Sequence, residues 1–196
     1  MPVNRSVPDV AQKRKDWNGL ISGFKASDLV FLDESRCNTD MTRRYAYSLG
    51  GSRAVDSAPL SKPKNTTILP SIQLDGTLRY TTFSGGTTVE RFKRYLETDL
   101  LPHLNGNSVL IMDNMKSHHA RAVRNLLDSS EVRCIYLPPY SPDLNPIEKL
   151  WSKVKSFLRK FKARTLDALP NAIQNAFHSV TISDCSGWFR FCGYAL

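Results

Sequence analysis

The chain is 196 residues long, 41% hydrophobic and 23% charged, with a formal net charge of +9. That length and composition support one domain with a buried core and exclude a disordered chain. No run of about 18 apolar residues occurs, which excludes a membrane span. The N-terminus has no apolar signal core, so the protein is expected to stay inside the cell.

The positive surplus favours a polyanionic partner. Its distribution sharpens that expectation, because seven Lys or Arg residues and no acid lie between Lys149 and Arg164. The four cysteines show no Cys-x-x-Cys pair and no His at zinc-finger spacing, so they read as free thiols of a reducing compartment rather than a structural zinc site.

In chain order, Val10, Trp17, Leu20, Ile21 and Phe24 recur at helical spacing among Lys13, Arg14 and Lys15, which predicts a short amphipathic arm over 1–27. Leu29 to Asp33 reads as a buried strand. Tyr45 to Leu49 and Thr67 to Ile72 read as further strands, separated by a polar, basic and mobile loop from Gly50 to Lys64. Asp75-Gly76 signals a hairpin turn into a strand from Leu78 to Phe83. Val89, Phe92, Tyr95, Leu96 and Leu100 then share one helical face, ending before Pro102. A strand from Val109 to Asp113, a helix from His119 to Leu127 and a strand from Val132 to Leu137 follow. Pro138 to Pro146 is a proline-punctuated loop, and helices are expected over about 146–162 and 166–179 before a short terminal segment, 181–196, around Trp188 and Phe189. A meander followed by alternating strands and helices predicts an α/β domain over 28–180, a mixed sheet covered by helices.

Three acids carry the chemistry. Asp33 and Asp113 each end an apolar run, Val30-Phe31-Leu32 and Val109-Leu110-Ile111-Met112, and parallel neighbours would bring both carboxylates to the same sheet end. Glu148 opens a helix, with 34 residues between it and Asp113. Two readings of Glu148 stand: a capping box with Asn145, in which its side chain returns to the Asn145 N–H, or a metal ligand facing the two aspartates. Lys155, Arg159 and Lys162 fall within about 40° of Glu148 around the helix, a basic ridge suited to a phosphodiester backbone or simply a solvated face. His118 and His119 either approach the metal or a phosphate, or pack at a helix start. Trp151 belongs to the core stripe, and Asp143 to a turn. Oxygen ligands alone select Mg²⁺ or Mn²⁺, and three converging acids suit two such ions in phosphoryl transfer on DNA.

Val30-Phe31-Leu32-Asp33-Glu34-Ser35, Ile111-Met112-Asp113-Asn114 with His118, and the string Leu137-Pro138-Pro139-Tyr140-Ser141-Pro142-Asp143-Leu144-Asn145-Pro146-Ile147-Glu148 resemble the catalytic domain of mariner-like and related bacterial insertion-sequence transposases. The resemblance spans roughly residues 10–170. It implies a ribonuclease-H-like fold, an Asp-Asp-Glu triad of Asp33, Asp113 and Glu148 serving as catalytic residues and metal ligands, cleavage at transposon ends, and strand transfer, usually into a TA dinucleotide. DNA-backbone contacts are expected from Lys155, Arg159, Lys162, Arg43, Arg44 and His118. A homodimer acting on paired ends is implied by the resemblance alone, as is work in the nucleoid of a bacterium or the nucleus of a eukaryote. Relatives carry paired helix-turn-helix modules ahead of this domain, whereas about 27 residues precede the first strand here. A separate helix-turn-helix product of a split frame, a fragment or a degenerate copy are the readings of that difference. A nuclease that only hydrolyses and a non-catalytic DNA-binding remnant remain the rival functions.

Overall fold

The structure, a computed structural model, describes residues 8–43, 45–57, 59 and 63–195. Helix α1 (Pro8–Ile21) leads into strands β1 (Leu29–Leu32), β2 (Ser35–Asn38), β3 (Asn65–Gln73) and β4 (Leu78–Ser84). Helix α2 (Val89–Tyr95), a π-helical turn (Leu96–Leu100) and a 3₁₀ turn precede β5 (Val109–Met112), α3 (Arg121–Ser129) and β6 (Arg133–Tyr136). Helices α4 (Ile147–Phe161), α5 (Ala168–His178) and α6 (Ile182–Phe191) complete the chain.

The sheet runs β2-β3-β1-β5-β6, with β4 on the other edge of β3. β3 is antiparallel to β1, β2 and β4, whereas β1, β5 and β6 are mutually parallel. The β3–β4 hairpin turns at Gly76, whose φ of +88° suits a residue without Cβ; Asp75 Oδ1 accepts from the Thr77 N–H at 2.8 Å.

Both faces of the sheet are covered, which explains why β1 and β5 are apolar at every position. On one face Phe31, Ile68, Ile72 and Ile111 pack under Ile147, Leu150, Trp151, Val154 and Leu158 of α4, with Trp17, Ala172, Ile173 and Phe189 in the same core. On the other, Val30, Leu32, Leu69, Leu110 and Met112 meet Phe92, Tyr95, Leu96, Leu100, Val123 and Leu127. Arm, sheet and C-terminal helix therefore share one packed interior.

Two expectations need correction, and one strand was not foreseen. Tyr45 to Leu49 is not a strand: Tyr45, Tyr47 and Leu49 are 90%, 105% and 91% exposed. Alternation alone does not hold a strand without a partner edge, and both edges of β3 are occupied by β1, β2 and β4. The strand that does form nearby, β2, has one buried apolar residue, Cys37, and forms because β3 continues past β1. The terminal segment is a full helix, α6, begun by a capping box in which Thr181 Oγ1 accepts from the Asp184 N–H and the Asp184 carboxylate from the Thr181 N–H.

Candidate active site

β1 and β5 run parallel with Leu29 opposite Val109, Val30 opposite Leu110 and Phe31 opposite Ile111. Carried two residues further, that register sets Asp33 level with Asp113. Asp33 also marks a break in the ladder to β3. β1 and β2 pair with β3 in one continuous register, Leu32 with Ser71 and then Ser35 with Ile68, so Asp33 stands opposite Pro70. The Asp33 N–H donates to the Pro70 carbonyl at 3.4 Å, and Pro70 has no N–H to return. The strand loosens where its carboxylate meets the cleft.

Beyond Met112, the Leu137 N–H donates to the Met112 carbonyl at 2.8 Å, and Asn114 Nδ2 donates to the Leu137 carbonyl. These bonds seat the loop leading to α4. Tyr140 takes a left-handed φ of 57°, and Arg14 of α1 grips the loop through Ser141 Oγ at 2.6 Å and Asp143 Oδ2 at 2.6 Å. Asp143 is thus an anchor of the loop. The cleft enclosed, about 450 Å³, is lined by Asp33, Asp113, Asn114, Tyr140, Asn145 and Glu148 among others.

The capping-box reading of Glu148 has no bond to support it. The Asn145 N–H donates to the Pro142 carbonyl at 3.1 Å, and Asn145 Oδ1 accepts from the Ile147 N–H at 3.3 Å. Asn145 therefore caps α4 while the Glu148 carboxylate stays exposed in the cleft.

The electrostatics report three carboxylates in one place. Burial, together with the charges of Asp113, Glu148 and Glu34, pushes Asp33 up to about 7 against the bond its Oδ1 accepts from the Glu34 N–H. Burial and the charge of Asp113 raise Glu148, with Lys155 pulling the other way. Asp113 is held below the usual carboxylate range: its burial is outweighed by His118 and by the Met115 N–H. Burial pushes His118 down, but its bonds to Asp113 and Glu34 prevail and carry it to about 9. It is therefore protonated near neutrality and donates from both ring nitrogens.

Against the sequence expectations, His118 is 0% exposed, stacked on Phe92 at 4.3 Å, where no phosphate reaches it. His119 stacks on Tyr136 at 4.1 Å. Lys155 and Arg159 are half-buried, with Lys155 influencing both Glu148 and Cys37. Lys162 is bonded to Asp56, Arg43 is exposed, and Arg44 lies outside the described residues. What the sequence reading missed is the partnership of Glu34 with His118; its only signal was the acid directly after Asp33.

A divalent cation suits the donors on chemical grounds. On Asp33 and Asp113 the hydrogen bonds fall on Oδ1, at 2.8 Å from the Glu34 N–H, 2.8 Å from His118 Nδ1 and 3.1 Å from the Met115 N–H. The Oδ2 atoms thus remain for the cleft, and positive charge there would relieve the raised Asp33 and Glu148. Among the described residues, no three His, Cys, Asp or Glu side chains stand together as a finished ligand set.

A mixed sheet with helices on both faces and acids at the ends of adjacent parallel strands is a ribonuclease-H-like fold. Solved structures agree: the chain superposes on a pre-cleavage Mos1 transpososome with a TM-score of 0.78 at 18% identity, covering 93% of this chain and 59% of that one. The crystal structure of the catalytic domain of Mos1 mariner transposase gives 0.69 at 17% identity, covering 92% and 86%. In sequence, the Tc1 transposase of Caenorhabditis elegans is 30% identical over 97 residues, 47% of this chain and 36% of that protein. The family model of the DDE superfamily endonucleases matches residues 28–170. The chain belongs to this family. It spans less than two thirds of the Tc1 and transpososome chains it matches.

Proposed function

We propose that Asp33, Asp113 and Glu148 are the catalytic, metal-binding acids of a DNA transposase that cuts strands at transposon ends and joins them to target DNA. The parallel register of β1 and β5, with Asp33 level with Asp113 and Glu148 across one cleft, carries this reading. Relatives have been solved as Mos1 paired-end complexes with Mn and with Mg, which supports a divalent cation and DNA as partner; the proposal takes two such ions. Held by these carboxylates, Mg²⁺ or Mn²⁺ would neutralise charge on the scissile phosphate and on the departing oxygen.

The chain's own residues do the rest. Lys155, Arg159 and exposed Arg43 bind the phosphate backbone, and the proline loop fixes Glu148 relative to the two aspartates. In cleavage, a water oxygen attacks phosphorus and the P–O3′ bond breaks, giving a 3′-hydroxyl and a 5′-phosphate. In joining, that 3′-hydroxyl attacks a target phosphate and displaces another 3′-oxygen; the proton it loses passes to solvent. A homodimer extends the proposal.

The test is incubation of the chain with a labelled duplex bearing a pre-cut 3′-hydroxyl and a supercoiled plasmid, in Mn²⁺ or EDTA. Metal-dependent joining is expected. Nicking without joining would reduce the protein to a hydrolytic nuclease, and neither would leave a DNA-binding remnant. Glu148→Gln is expected to stay folded and to bind DNA while losing cleavage by at least about 10²-fold. Full Mn²⁺-dependent nicking by that variant would remove Glu148 from the site.

A further inference from the structure

His118 is a polar side chain at 0% exposure, and it touches the cleft only through other residues. Its Nδ1 lies 2.8 Å from Asp113 Oδ1 and its Nε2 3.2 Å from Glu34 Oε2. Phe92 stacks on the ring at 4.3 Å, and Tyr136 Oη donates to the His118 carbonyl at 3.2 Å, so ring and backbone are both fixed. Glu34 follows Asp33 directly, and its own N–H holds Asp33 Oδ1 at 2.8 Å. One residue thus grips Asp33 with its backbone and, through the His118 ring, Asp113 with its side chain.

We propose that Glu34 and His118 are positioning residues that lock the carboxylates of Asp33 and Asp113 as a pair, engaging one oxygen of each so that the other is presented to a divalent cation. The inference rests on the metal-binding role proposed for these aspartates. A strand-end carboxylate on a free rotor would lose rotamer freedom on binding a cation; here that ordering is already built in. The tie also crosses the sheet, joining the end of β1 to the turn after β5, so it fixes the two carboxylates relative to each other.

The test measures Mn²⁺ binding by the whole 196-residue chain without DNA, by titration calorimetry and by electron paramagnetic resonance of free Mn²⁺, alongside Tm. Asp33→Asn is the control, His118→Phe fills the ring space without donors, His118→Asn keeps a donor near the Nδ1 position, and Glu34→Gln keeps the acceptor without its charge. Wild type should bind Mn²⁺ and Asp33→Asn should lose binding. His118→Phe should weaken it about 10–100-fold, the usual effect of removing a group that orients a ligand. His118→Asn should recover most of that loss, and Glu34→Gln should fall between. Loss in His118→Phe with recovery in His118→Asn, both at wild-type Tm, is a separation that a merely structural role would not give.

Wild type that binds no Mn²⁺, or Asp33→Asn that binds as wild type does, would overturn the metal-site reading and this inference together. Wild-type affinity in folded His118→Phe, with Asp33→Asn dead, would overturn the positioning role alone. If His118→Phe fails to fold, Glu34→Gln decides: affinity within twofold of wild type overturns the proposal, and a clear loss at unchanged Tm sustains it.

Discussion

The Asp33 carboxyl, pushed up to about 7 by burial and by its acidic neighbours, keeps a proton that the unfolded chain releases above 3.8. Its stabilising difference is complete below 3.8 and lost as pH rises through about 7. His118 has the same sign, complete below 6.5 and lost as pH rises through about 9. Asp113 runs the other way, contributing above 3.8 and failing as pH falls through its depressed value. On these three groups the metal-free protein should therefore be most stable near pH 4, losing stability as pH rises through about 7 and then about 9. In EDTA, Asp33→Asn should raise stability at pH 8 by roughly 1–3 kcal/mol and change it little at pH 4. Mg²⁺ should recover wild-type stability at pH 8 without helping the Asn variant; a lowered Tm for Asp33→Asn at pH 8 would contradict the assignment. The three acids were legible because each ends an apolar run or opens an amphipathic helix. The Glu34–His118 tie was not, because residues 84 apart meet only once the parallel register is known. Nor did spacing separate the two jobs of Glu148, which turn on where the Asn145 N–H donates.

Among the elements, α4 was the most legible: five of its apolar positions, Ile147, Leu150, Trp151, Val154 and Leu158, are buried as their period requires. β2 was hidden because Ser35-Arg36-Cys37-Asn38 has no strand composition; the strand exists on hydrogen bonds that β3 offers. α6 was readable from Thr181-Ile182-Ser183-Asp184, a capping-box spacing that the terminal aromatics obscured. The basic face of α4 makes its own prediction. Lys155→Ala or Arg159→Ala should flatten the dependence of log K on log salt by about 0.9 for each phosphate left without its cation, equally for unrelated duplexes. Weakening confined to one sequence would show that these residues read bases instead. Lys162 is expected to matter less, being already bonded to Asp56.

Across the whole molecule, two of the acids and the third are held by different kinds of geometry. Asp33 and Asp113 ride on hydrogen-bonded ladders, where a shift comes only in whole residues and turns every side chain to the wrong face. Their spacing is digital: correct, or lost together with the fold. Glu148 hangs at the end of a loop that carries a left-handed Tyr140 and is moored by Arg14, and a loop can be retuned by fractions of an ångström. Its spacing is analogue. One glycine inserted after Tyr140 should leave Tm within a few degrees, since loops absorb insertions at small entropic cost, yet lower cleavage by about 10²-fold, because reacting groups about 1 Å out of place lose that much. One residue inserted between Phe31 and Leu32 should instead abolish the cooperative melt. If the loop insertion unfolds the protein, or leaves cleavage at wild-type rate, the distance across this cleft is not set by the loop.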